Sequence, residues 1–208
     1  MNKLLIATNN QAKLIEFQEL LKDISVELIT PAQINLDLDV IEDGLTYAEN
    51  ATKKAVAFAQ GCGLISLADD SGVEVDALNG EPGLYSARYG STDGKKLSDA
   101  DRRKFLIKNL QGKPRPWSAH FTATIAIAVP VNAILNKSKN LHLANGICEG
   151  EIIPEERGTG GFGYDPIFLL NGIGKTMAEL PMDEKNRLSH RARAVINAKD
   201  VLRKILGS

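Results

Sequence analysis

The stretch Leu64-Ile65-Ser66-Leu67-Ala68-Asp69-Asp70-Ser71-Gly72 decides how the chain is read. A short apolar run gives way at once to two adjacent carboxylates, a hydroxyl and a glycine. Short apolar runs mark the buried strands of α/β proteins, and such folds place ligands beyond the C-terminal ends of their strands. The expectation is a strand over 64–68 with the carboxylates just past its end. Two neighbouring acids there repel each other unless a cation or a proton is shared between them. A divalent metal with oxygen ligands answers that repulsion, and Mg²⁺ commonly brings substrate phosphates with it. Asp-Asp-Ser-Gly is equally good turn chemistry. These residues alone leave a turn and a metal site on an equal footing.

Working outward, Leu4-Leu5-Ile6-Ala7 reads as a buried first strand that runs into Thr8-Asn9-Asn10-Gln11-Ala12-Lys13. Asn9 or Asn10 can cap the helix that follows, where Leu14, Phe17 and Leu21 share one face. A strand entering a helix N-terminus presents backbone N–H groups that suit an anion, and Lys13 would add a full charge. Taken alone, an ordinary capped helix with a solvated lysine is the favoured reading. Ser25 to Ile29 alternates as a second strand. Asp37 to Asp43 carries four acids and ends in Glu42-Asp43-Gly44, by itself an acidic loop. Thr46 and Glu49 form a capping box that starts a helix over 47–60, which discounts Glu49 as a functional acid.

Beyond Gly72, Val73 to Asp76 reads as a separate short strand leading to an Asn79-Gly80 turn, and 81–90 as a loop with Tyr85, Arg88 and Tyr89. A helix follows over 99–110, then β-rich runs at 119–129 and 141–153 around a polar loop at 132–140. Gly158-Thr159-Gly160-Gly161-Phe162-Gly163-Tyr164-Asp165 places four glycines in six residues, which lets a backbone approach a ligand closely. Phe162 offers a face on which a base can stack, and Asp165 an acceptor for base-edge donors. At the end of the chain, 183–191 precedes a helix whose apolar face is Val195, Ala198, Leu202 and Ile205. Ser189 is the expected N-cap. His190 and Arg191 then sit in the first turn, against the helix dipole, a placement better explained if an anion binds there. His120 and His142 lie in the β-rich section without evident partners.

The bulk properties exclude several classes. A chain of 208 residues with 43% hydrophobic content suits one domain with a real core. With 25 basic and 26 acidic residues, non-specific nucleic-acid binding is not indicated. Cys62 and Cys148 match no metal spacing, and a reduced, cytoplasmic protein is the simplest reading. The N-terminal apolar run is too short for a secretory signal, and no run is long enough to span a bilayer. The Gly-x-x-x-x-Gly-Lys pattern of P-loop enzymes is missing.

Six segments, in order along the chain, resemble the inosine triphosphate pyrophosphatase family, the Ham1/RdgB-like house-cleaning nucleotide hydrolases. They are Thr8–Lys13, Gly44–Ala51, Ala68–Gly72, Gly80–Tyr89, Gly161–Pro166 and Ser189–Arg191. The resemblance implies a single domain over 1–208 with an elongated α/β fold: a mixed central sheet flanked by helices, two lobes, and a nucleotide cleft between them. It implies hydrolysis of noncanonical purine nucleoside triphosphates (ITP, dITP, XTP) to the monophosphate and pyrophosphate, with Mg²⁺, by a homodimer. The 119–153 section is the expected dimerisation lobe, and the 130–140 segment a variable loop.

Residue by residue, the resemblance implies that Thr8, Asn9, Asn10, Gln11, Ala12 and Lys13 hold the triphosphate. Asp70 is the implied catalytic acid-base and a metal ligand, with Ser71 touching substrate. Phe162, Gly163, Tyr164 and Asp165 border the base, while Lys185, His190 and Arg191 complete base and phosphate recognition. The chain departs from the family's acidic motif at Ile41-Glu42-Asp43-Gly44; Glu42 is the first choice for the second metal carboxylate and Glu49 the weaker one. The nearest competing reading is a Maf-like pyrophosphatase for pyrimidine or modified nucleotides, disfavoured by Ser189-His190-Arg191 and the Gly-Phe-Gly-Tyr-Asp loop. A non-catalytic nucleotide sensor is disfavoured by the intact Asp69-Asp70 pair.

Overall fold

The structure is a computed structural model that describes residues 2–92, 95–130 and 140–207. Its strands are β1 (Lys3–Ile6), β2 (Glu27–Ile29), β3 (Ile65–Val75), β4 (Trp117–Ala128), β5 (Leu141–Ile152) and β6 (Phe168–Leu170). They form one six-stranded sheet in the order β2-β1-β3-β4-β5-β6. The sheet is mixed: β1 runs parallel to β2 and β3, and β5 antiparallel to β6. The helices are α1 (Gln11–Leu20), α2 (Tyr47–Cys62), α3 (Asp99–Leu110), α4 (Met182–Leu188) and α5 (His190–Leu206). Residues 131–139, which hold most of the expected 132–140 loop and of the variable 130–140 segment, lie outside the described residues.

The chain divides into two compact units. The first comprises Met1–Asp70, Ala123–Gly146 and Ala192–Ser208, and the second Ser71–Thr122 and Ile147–Arg191. In the first, strand alternation sorts side chains by size. Leu4, Ile6, Leu67, Ile125 and Ile127 pack with Phe17 and Leu20 of α1 and with Val195, Ala198 and Leu202 of α5. Their chain neighbours Leu5, Ala7, Ala68, Ala126 and Ala128 pack instead with Ala51, Ala55 and Ala59 of α2. Successive strand residues face opposite sides, so large residues meet two helices on one side and a stripe of alanines fits close on the other. Here β1, β3 and β4 are covered on both faces, which is why these strands read as apolar runs.

The second unit packs α3, through Leu106 and Leu110, on Val73, Val75, Phe121, Phe168 and Tyr164. The Tyr164 hydroxyl, buried among them, donates to the Ser86 carbonyl at 3.0 Å.

Two expectations are corrected. The run 64–76 is not a strand, a turn and a second strand, because β3 passes without a break through Asp69, Asp70, Ser71 and Gly72. A turn-prone tetrapeptide stays extended when a neighbouring strand, here β4, and covered faces hold it. The stretch before the last helix is itself helical, because α4 covers 182–188, whereas Ser189 is the extended residue before α5 and His190 and Arg191 open that helix as expected. Asp183 and Glu184 in the first turn of α4, with Lys185 and Arg187 in its last, suit the helix dipole at both ends.

The alanine stripe yields a stability test. Ala55 is fully buried against small residues, so Ala55→Leu should cost about 1–3 kcal/mol by overpacking. Ile196→Ala, on the exposed side of α5, should stay within about 0.5 kcal/mol. Urea unfolding of both variants measures the contrast.

Candidate active site

The two carboxylates of β3 inherit the alternation of the strand. Asp69 shares the side of Leu67, which packs with α1, and Asp70 the side of Ala68, which packs with α2. Their partners follow. Asp69 Oδ2 lies 3.1 Å from Nζ of Lys13 on α1. Asp70 Oδ2 accepts from Nδ2 of Asn50 on α2 at 3.0 Å. The acids therefore diverge, each toward a different helix, while the Lys13 charge acts on both of them. Pairing with β1 reaches only to Leu67, whose carbonyl accepts from the Ala7 amide at 2.8 Å. Both acids thus lie beyond the C-terminal end of β1, the edge where such folds hold ligands, although they sit inside β3.

Helix α2 organises the acidic side. Asn50, almost fully buried, accepts from the Gly44 amide at 2.8 Å through Oδ1 while its Nδ2 holds Asp70. One turn on, Lys54 Nζ donates to the Asp69 carbonyl at 2.7 Å and lies 3.3 Å from Glu42 Oε2. Burial pushes the Asp70 carboxyl above its ordinary range. Lys54, the Asn50 hydrogen bond and Lys13 pull the other way, and the Glu42 charge adds to the rise. Asp70 is therefore a partly desolvated carboxylate with a second acid and two ammonium groups within electrostatic reach. Glu49 is exposed and accepts from the Leu45 amide at 2.7 Å, with Thr46 capping α2 through the Glu49 amide at 3.1 Å. The capping arrangement occupies Glu49.

At the start of α1, Asn10 is the cap, and its Oδ1 accepts from the amides of Ala12 at 2.9 Å and Lys13 at 3.2 Å. Two first-turn N–H groups expected to face an anion are thus held by the cap. Thr8, Asn9, Asn10 and Gln11 keep exposed or half-exposed positions on this turn.

Among the described residues no three His, Cys, Asp or Glu side chains are placed to hold one metal ion. Asp70 and Glu42 offer two carboxylates within electrostatic reach of each other. That set fits Mg²⁺, which dehydrates reluctantly and fills its remaining positions with water and substrate phosphate.

In the second unit the glycine-rich segment folds around its own neighbours. A Cβ at Gly158 would lie 2.4 Å from the Ala178 backbone, and one at Gly161 2.0 Å from Asp165 Oδ2. The close approach that glycine permits is used here by the protein itself. Asp165 Oδ2 accepts from the Phe162 amide at 2.9 Å and from Lys185 Nζ at 2.7 Å, deep in the unit. This oxygen is thereby engaged inside the protein, not held out to a base edge. Phe162, half-buried, has Lys185 Nζ 5.2 Å and the Arg191 guanidinium 5.7 Å from its ring centre. Arg191, itself buried, donates to Ser71 Oγ at 3.1 Å. Ser71, Phe162, Asp165, Lys185 and Arg191 therefore form one array. His190 packs beside it, its ring stacked on Phe121 at 4.6 Å. His120, expected to lack a partner, lies 3.4 Å from Glu74. Of the 81–90 loop, Tyr89 is core, bonded to Glu81 at 2.9 Å, whereas Tyr85 is exposed beneath Arg88.

Sequence reasoning gave no role to four residues that hold these groups: Asn50, Lys54, Asp99 and Arg103. The last two grip Gly163, whose amide donates to Asp99 Oδ2 at 2.6 Å and whose carbonyl accepts from Arg103 Nη1 at 2.8 Å. A buried asparagine and a lysine at helical spacing beside an alanine stripe were the available signal for the first pair; nothing local distinguished the second.

The model of the Ham1 family matches residues 4–201. The chain belongs to the Ham1 family. A relative from Desulfotalea psychrophila, a dITP/XTP pyrophosphatase, is 45% identical over 196 residues, covering 94% of this chain and 83% of its own. Another dITP/XTP pyrophosphatase, from Desulforamulus reducens, is 43% identical over 204 residues, covering 98% and 96%. The solved structure of a HAM1 protein from Coxiella burnetii superposes with a TM-score of 0.85 at 38% identity, covering 98% of this chain and all (100%) of that one. Among the described residues no helix is long and apolar enough to cross a membrane.

The Asp165–Lys185 pair is nearly sealed from solvent, with side chains 6% and 5% exposed. Asp165→Ala should cost about 3–5 kcal/mol by stranding a buried ammonium, and the double change Asp165→Ala with Lys185→Met should cost less. Urea unfolding of the two variants reads the difference.

Proposed function

We propose that this chain hydrolyses noncanonical purine nucleoside triphosphates (ITP, dITP, XTP) between the α- and β-phosphates, releasing the monophosphate and pyrophosphate. The observation that carries this reading is the buried Asp70 carboxylate, held by Asn50 and faced by Glu42, Lys54 and Lys13, in a chain whose curated relatives are dITP/XTP pyrophosphatases. No observation favours a Maf-like pyrophosphatase or a sensor without catalysis.

In this reading Asp70 accepts the proton of the water that attacks the α-phosphorus, a role suited to a carboxyl whose proton affinity burial has raised. Lys13 and Lys54 offset negative charge on the triphosphate, and the Thr8–Lys13 turn receives its phosphates. Asp70 and Glu42 would hold Mg²⁺, which supplies charge neutralisation at the phosphate oxygens when bound. Phe162 stacks the base, while Lys185 and Arg191 offer donors toward a 6-oxo group, with Ser71 beside them. An adenine amino group would set donor against donor there, which supports selection of hypoxanthine and xanthine over adenine. His190 packs against Phe121 and acts by keeping the first turn of α5 in place.

The cytoplasm is the proposed location, supported by the free thiols Cys62 and Cys148. A homodimer is the proposed assembly. Leu141, Leu143 and Ile147, exposed at alternate positions of β5, support it; light scattering should give twice the chain mass.

Pyrophosphate release from ITP, XTP, GTP and ATP, with and without Mg²⁺, tests the activity. Fast Mg²⁺-dependent release from ITP and XTP, reduced roughly 10²–10⁴-fold by Asp70→Asn, is expected. Tight ITP binding with no release by the wild type would refute it. Arg191→Ala should lower ITP turnover far more than ATP turnover; an equal loss for both would remove Arg191 from base selection.

A further inference from the structure

The Ham1-family reading leaves α3 without a role, yet two of its residues hold both backbone groups of one glycine next to Phe162. We propose that Asp99 and Arg103 are positioning residues that fix the base-stacking loop and thereby set affinity for the purine; this rests on the function proposed above.

Asp99 Oδ2 accepts the Gly163 amide at 2.6 Å, and Arg103 Nη1 donates to the Gly163 carbonyl at 2.8 Å. Both contacts are charge-assisted, and they hold the glycine's N–H and C=O together, so rotation of the loop about Gly163 breaks at least one. Arg103 reaches further: its Nη2 donates to Glu156 Oε2 at 2.8 Å, tying the start of the glycine-rich segment to its far side. Arg103 is mostly buried, with 12% of its side chain exposed, and Glu156 is held below the usual carboxylate range by that guanidinium. Asp99 is itself paired with Arg102.

Gly163 has φ +61 and a Cβ there would meet nothing within 4 Å, so the glycine answers a backbone requirement and not crowding. On either side the loop is tied down independently, by the Phe162 amide on Asp165 and the Tyr164 hydroxyl on the Ser86 carbonyl. Between them, Asp99 and Arg103 hold the Gly163 N–H and C=O, one group from each of the two peptides that flank its Cα. A stacking ring repays binding only if its loop is ordered beforehand, because ordering it on binding costs affinity. The helical spacing of Asp99 and Arg103, four residues apart on one face, lets a rigid element supply both halves of the grip.

The experiment compares wild type with Arg103→Ala, Arg103→Lys and Asp99→Ala. It follows pyrophosphate release from ITP and ATP, with kcat and KM resolved, and amide hydrogen exchange across 158–164. Arg103→Ala and Asp99→Ala should each raise KM for ITP roughly tenfold, the loss of about one charge-assisted hydrogen bond. Their kcat should stay within about twofold, since the Asp70 cluster is untouched. Exchange should accelerate in the loop and not elsewhere, and Arg103→Lys should recover much of the affinity. An unchanged KM in both alanine variants, or matching losses of kcat and of folded protein, would overturn the clamp. Wild-type protein that turns over no purine triphosphate would overturn the functional reading beneath it, a result distinct from a wild type that turns over ITP with indifferent variants.

Discussion

Everything near the candidate site follows from one constraint: two consecutive aspartates inside a strand whose two faces are both buried. A strand sends successive side chains to opposite sides, so each carboxylate must find its own partner in its own layer. Asp69 finds Lys13 on α1, and Asp70 finds Asn50 on α2. The alternation that sends Leu67 and Ala68 into different cores continues into Asp69 and Asp70 without a change of register. The packing code and the charge code are one pattern.

That arrangement divides labour between the acids. Asp69 is 2% exposed and engaged by an ammonium, so it anchors the start of α1 to β3. Asp70 accepts from the neutral Asn50 amide, and its desolvation is only partly offset by Lys54, that hydrogen bond and Lys13. Asn50 also carries the Gly44 amide, so the loop bearing Glu42 and the carboxylate of Asp70 are set by the two ends of one side chain.

The second unit reaches pre-organisation by other means. Its glycine-rich segment has the composition of a flexible loop, yet the glycines let it press on Ala178 and Asp165, and charged groups from α3 and α4 take up its polar atoms. The buried Asp165–Lys185 pair is weak evidence for stability as such. Its geometric effect is plainer: it fixes an ammonium close to the ring of Phe162.

Much was legible in the sequence because the information was local. An apolar run marked β1 and β-rich runs marked β4 and β5, and spacing and caps marked α1, α2, α3 and the apolar face of α5. The six segments in order point to the family by themselves. What the sequence could not determine depended on partners distant in the chain. Whether Asp69-Asp70-Ser71-Gly72 turns or stays extended is settled by the strands beside it, since turn propensity is worth less than a paired, covered strand. Which partner each of the adjacent acids meets is settled by which helix covers which face. The use of glycine against Ala178, the engagement of Asp165 by Lys185, and the grip of Asp99 and Arg103 on Gly163 all join residues that no local pattern connects. Composition and periodicity determine which residues must be buried or capped, whereas tertiary structure alone decides which charge each buried polar group meets, because electrostatics and hydrogen bonding act through space and not along the chain.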